Sequence, residues 1–88
     1  MKIKRAISEC YAATRALDEN SLAEYAAGVE GETGVFLWLN NEVHETEAKL
    51  PWALRPVIRW FIDRKIIREL GYWDRMDEIE RTRQEASA

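Results

Sequence analysis

The stretch between Pro56 and Gly71 constrains this chain more than any other. The fourteen residues between them hold no glycine and no second proline, and they are rich in Ile and Arg. Proline is tolerated in the first turn of a helix, and glycine readily takes the left-handed backbone that ends one. The segment therefore reads as a helix that stops at Gly71. It starts near residue 54 with Pro56 in its first turn, or near 51 with a kink at Pro56. Its apolar residues do not form one stripe. Leu54, Val57, Ile58, Phe61 and Ile62 define one face, Ile62, Ile66, Ile67, Leu70 and Trp73 drift onto another, and Trp60 stands to one side. A helix apolar on several faces is central to its domain or shared with a partner chain. With 88 residues there is room for one core. The expectation is a single helical domain over 1–88, with the 52–70 helix at its centre and the last few residues frayed.

The flanking segments are also helical in pattern. Ile3, Ile7, Cys10, Thr14 and Leu17 recur at spacings of three and four, which predicts an amphipathic helix over 2–17. Asp18-Glu19-Asn20 would end it. Ser21-Leu-Ala-Glu24 has the form of a capping box and predicts a second, short helix over 21–27. Residues 35–39, Val-Phe-Leu-Trp-Leu, fit a buried strand or a buried helix. Val35, Phe36, Leu39 and Val43 lie at helical spacing, which favours a helix over 34–48. A hairpin over 35–46 is the alternative. Asp74 reads as the N-cap of a last helix reaching about Glu85. The fold class is all-α, four to five short helices around one small core, with α+β as the alternative.

Charge is segregated along the chain. Residues 1–17 carry a net +3, residues 18–47 a net −8 without one Lys or Arg, residues 48–70 a net +4, and residues 71–88 a net −2. Opposite blocks that face each other inside the fold explain this pattern most simply. A block left over would be a partner surface.

Chemistry-bearing residues are few. His44, the one histidine, lies in Glu42-Val-His44-Glu45-Thr-Glu47 without a second histidine to support a metal. Cys10, the one cysteine, falls on an apolar stripe and reads as a small core residue. The glycines of Gly28-Val-Glu-Gly31-Glu-Thr-Gly34 lack a following Lys and enclose two glutamates that would repel phosphate. No enzyme, cofactor or metal is implied. Met1-Lys-Ile-Lys-Arg is basic but no long apolar run follows, and no run approaches a membrane span. A soluble, cytoplasmic protein without a membrane partner is expected.

Leu22-Ala-Glu-Tyr-Ala-Ala-Gly28-Val29, followed by Thr33-Gly-Val-Phe-Leu-Trp-Leu39-Asn40, resembles the helix-turn-helix of bacterial repressors over about 19 residues. That resemblance implies a DNA-binding regulator with its recognition helix at 33–40. The charge argues otherwise: DNA affinity rests on phosphate neutralisation, and this block is purely acidic. Nucleic acid is therefore disfavoured as a partner.

Protein binding is the expected function. Four Trp is high for this length, and Trp and Arg are the residues most enriched at binding hot spots. Trp52, Arg55, Arg59 and Trp60 fall within nine residues, and Trp73 follows the same helix. These five are the candidate interaction residues of a small adaptor, regulator or inhibitor. A homodimer would also help so small a core. The alternative is an acidic partner surface of Glu30, Glu32, Glu42, Glu45 and Glu47. It is similar in charge to the small acidic inhibitors of phages and mobile elements, which imitate DNA to occupy nucleic-acid-binding proteins.

Overall fold

The computed structural model describes residues 2–87. Four helices follow one another: α1 (Lys2–Ala26), α2 (Gly34–Ala48), α3 (Arg55–Leu70) and α4 (Tyr72–Ser87). No strand occurs among the described residues. The all-α expectation holds, and the hairpin over 35–46 is overturned by α2. A lone hairpin would have lacked a third strand to pair with. The helix instead turns Phe36, Leu39, Val43 and Thr46 toward α1, with Val43 fully buried. Thr33 opens it by accepting the N–H of Phe36 at 3.0 Å.

The two helices expected over 2–17 and 21–27 are one. Asp18-Glu19-Asn20 contains neither glycine nor proline, and its polar side chains are absorbed by helical neighbours. Arg15 pairs with Glu19 at 3.2 Å, and the Asn20 amide donates to Glu24. Leu22 is buried and extends the inward face begun by Ala6, Cys10 and Thr14. Ser21 therefore lies inside a helix rather than capping one. The true stop is Gly28, at φ +76°. There Val29 N–H reaches Glu24 C=O at 3.0 Å and Gly28 N–H reaches Tyr25 C=O at 3.1 Å, a Schellman ending.

Pro56 lies in the first turn of α3, so the kinked alternative starting at 51 is not realised. Residues 51–54 form a turn closed by Leu54 N–H to Pro51 C=O at 3.0 Å. Gly71 ends α3 at φ +59°. The last helix starts directly after it, two residues before the expected cap at Asp74.

The hub is α1 rather than the 52–70 helix, because α1 packs against each of the other three. Its 25 residues make a rod of about 38 Å. That length takes α2 along one side and α3 and then α4 along another. The core cluster joins Ala6 and Cys10 of α1 to Leu50 and to Ile62 and Ile66 of α3, with Ile7, Tyr11, Ile58 and Leu70 around it. It contains no buried Trp or Phe. The molecule is thin, with principal extents of 53 × 26 × 17 Å. Its radius of gyration is 15.1 Å, against about 12 Å for a compact domain of this length. It exposes 6478 Å², against about 5,400 Å² for a monomer of its mass.

Candidate interaction surface

Helix α3 divides along its length. Ile58, Ile62, Ile66 and Leu70 turn toward α1. Val57, Trp60, Phe61, Arg64, Lys65 and Arg68 are exposed, with Phe61 and Lys65 at the edge that borders α1. Val57, Trp60, Phe61, Arg64 and Arg68 sit at offsets of 0, 3, 4, 7 and 11, one helical face. Trp60 and Phe61 meet edge to face with centroids 5.0 Å apart. The Arg64 guanidinium lies over the Trp60 ring at 4.8 Å, a cation–π contact. Lys65 lies over Tyr11 of α1 at 5.3 Å. Among the described residues, none of Arg64, Lys65 and Arg68 has a carboxylate oxygen within ion-pair distance. The face is apolar at its N-terminal half and cationic at its C-terminal half.

All four Trp are exposed: Trp38 by 63 %, Trp52 by 83 %, Trp60 by 54 % and Trp73 by 63 %. The structure does not gather the three expected at the site. Trp52 stands in the turn before α3, Trp60 on its outer face, and Trp73 beyond its end, edge-on to Tyr72 at 5.2 Å.

The two expected arginines face inward. Arg55 donates to the carbonyls of Leu50 at 3.0 Å and Ala48 at 3.3 Å, so it caps the end of α2. Arg59 is the centre of a polar knot, with its side chain only 21 % exposed. It donates to Thr14 Oγ1 at 2.6 Å, to Asp63 Oδ1 at 3.2 Å and to Cys10 Sγ at 3.4 Å. Its Nε lies 3.6 Å from a Glu47 oxygen. Spacing places Arg55 and Arg59 on one helix face and Arg64 on the opposite one. Which of the two faces α1 buries decides their roles.

Burial and, next, the Asp63 carboxylate raise the Asp18 carboxyl above its ordinary value, against the pull of Arg59. A carboxyl raised on folding removes stability as pH rises from its unfolded value through its folded one. Asp18→Asn is therefore expected to raise the melting temperature at neutral pH. The gain should vanish below about pH 4, where unfolded Asp is itself protonated. Paired melting curves at the two pH values check this, and an equal shift at both would refute it.

Of the acidic candidates, Glu30, Glu32 and Glu45 are exposed and Glu42 is half-buried at the flank of α2. Glu47 is turned inward onto Arg59. That pair is the one ion pair joining the acidic block 18–47 to the basic block 48–70 among the described residues. The blocks do not neutralise each other, contrary to the simplest reading of the sequence. The cause is their placement, since the cations of α3 beyond Arg59 stand exposed without a carboxylate of residues 18–47 within ion-pair distance among the described residues.

His44 is exposed on α2, and Cys10 is fully buried. Among the described residues no three His, Cys, Asp or Glu side chains converge as metal ligands. No described helix is long and apolar enough to cross a membrane. The pair α1 and α2 does not have the crossed arrangement of a helix-turn-helix. Phe36 lies by Ser21 and Tyr25, whereas Lys49 bonds Glu9 at 3.4 Å, so α2 runs antiparallel along α1. Its connector is residues 27–33, longer than the three or four residues of that motif.

Two exposed aromatics escaped the sequence reading, Phe61 and Trp38. The sequence groups Phe61 with Leu54, Val57, Ile58 and Ile62 on one apolar face, which the structure splits, burying Ile62 and exposing Phe61. The offsets from Val57 to Arg68 carried the signal, because a stripe ending in two arginines is not a core stripe. No protein-family model, no curated protein and no solved structure matches the chain.

Proposed function

We propose that this chain is a small non-enzymatic protein-binding module and that its docking surface is the outer face of α3. One observation carries the reading: Val57, Trp60 and Phe61 are exposed side by side, and the next two turns present Arg64, Lys65 and Arg68 without carboxylate partners. Large apolar side chains held in water in this way mark a surface that another molecule covers. Trp and Arg make that surface energetically concentrated, and the unpaired cations steer approach. The surface departs from the sequence expectation in its membership. Trp60 stays, Phe61, Arg64 and Arg68 join it, and Arg55 and Arg59 leave it.

Trp60→Ala combined with Arg64→Ala is expected to weaken partner capture by about tenfold or more while the circular dichroism stays native. Undiminished capture would refute the reading. A second reading rests on Glu30, Glu32 and Glu45, which stand exposed without an ion pair. An acidic inhibitor would lose its target on neutralising those three to Gln and keep it in the α3 variant.

A further inference from the structure

Helices α1 and α3 leave a hollow between them of about 340 Å³, lined by Lys4, Ile7, Tyr11, Phe61, Ile62 and Lys65. Its floor is aliphatic, Ile7 and Ile62. Its rims are cationic on both sides, Lys4 on α1 and Lys65 on α3, with Arg64 and Arg68 alongside. Among the described residues no ion pair engages Lys4. A bilayer would meet only the protruding side chains, whereas a floor set between two helices is reached by an inserted one. The hollow calls for an apolar knob flanked by carboxylates.

The same chain carries that knob. Trp38 is exposed on α2, with Leu37 beside it. Glu42 and Glu45 follow it by four and seven residues, one and two turns along the same helix. Neither glutamate has a cation within ion-pair distance among the described residues. The chain thus presents an acidic aromatic helix face and a cationic aromatic hollow, and among the described residues it pairs neither set of charges in an ion pair. The surface in excess of a compact monomer, about 1,100 Å², is of the order that one partner buries in a standard interface.

We infer that the α3 surface docks a second copy of this chain, with Trp38 of one copy seated in the hollow between α1 and α3 of the next. Glu42 and Glu45 then face Lys4, Arg64, Lys65 and Arg68. This rests on the reading of the α3 face as a docking surface and names its occupant. The contact joins two different patches, so it is head-to-tail and leaves one of each free on the pair it makes.

That asymmetry gives the test. One variant, Arg64→Glu with Lys65→Glu, loses the cationic patch and keeps the acidic one. The other, Glu42→Lys with Glu45→Lys, does the reverse. None of the four residues is in an ion pair, so both variants should retain native circular dichroism. In sedimentation velocity at low salt, the native chain should show mass rising with concentration and falling with added salt. Each variant alone should be monomeric. Their mixture should give a one-to-one pair that does not grow, and Trp38→Ala in the first variant should weaken that pair by about tenfold or more. A monomeric native chain overturns the inference. So does a mixture that fails to pair, or association that one variant retains by itself. If the native chain is monomeric but Trp60→Ala with Arg64→Ala abolishes capture of another protein, the docking surface stands and its occupant is a different chain. Native binding to anionic vesicles in place of self-association likewise overturns the second copy.

Discussion

Arg59→Ala is expected to destabilise the fold by about 2–3 kcal/mol, because the partly buried guanidinium makes several charge-assisted hydrogen bonds at once. The whole stability of a chain this long is about 4–13 kcal/mol, so the variant should lose a large share of it. The loss has two parts. The guanidinium's hydrogen bonds to Thr14, Cys10 and Asp63 vanish. The half-buried Glu47 carboxylate then loses its cation, and Asp18, already raised by burial and by Asp63, loses the one nearby charge that lowers it. Arg59→Lys keeps the charge but cannot supply a planar fork to several acceptors at once, so it should fall between. Urea unfolding followed by circular dichroism measures both. The contrast with the sequence expectation is sharp. An arginine exposed for partner binding would change stability by less than about 0.5 kcal/mol and lower partner affinity instead.

That contrast shows where sequence reasoning reaches its end in this chain. Pro56 and Gly71 bounded α3, and Gly28 ended α1, because each acts through its own backbone. Asp18-Glu19-Asn20 misled because polar residues are compatible with both a helix end and a helix surface, and the choice fell to packing by Leu22. The same holds for the site. Arg55 and Arg59, four residues apart, share one face of α3 and Arg64, nine from Arg55, lies on the opposite one; their fates were set by α1, which buries the first face and leaves the second. Phe61 shares an apolar face with Ile58 and Ile62 in the sequence pattern, yet only those two pack inward. The Arg64 and Arg68 that share a stripe with Val57 and Phe61 are the one local hint within α3 that this stripe stays wet.

The two faces of α3 should separate in experiment as cleanly as they do in space. Ile66 has no exposed surface and sits in the cluster with Cys10, Leu50 and Ile62. Ile66→Ala is expected to cost about 2–5 kcal/mol, through lost transfer energy and the cavity left behind. A core this thin offers few neighbours of adequate size to collapse into the gap, which places the effect toward the upper end. Phe61 is larger, stands five residues away on the same helix, and is 62 % exposed. Phe61→Ala should leave the unfolding free energy of the isolated chain within about 0.5 kcal/mol of native. It should instead reduce whatever binding the outer face supports. Chemical denaturation at dilute concentration, where association is absent, decides between them. Equal losses from both variants would mean that Phe61 belongs to the core and that α3 has no free apolar face. A loss confined to Ile66 means the opposite: Phe61 lies outside the core, and α3 keeps a free apolar face.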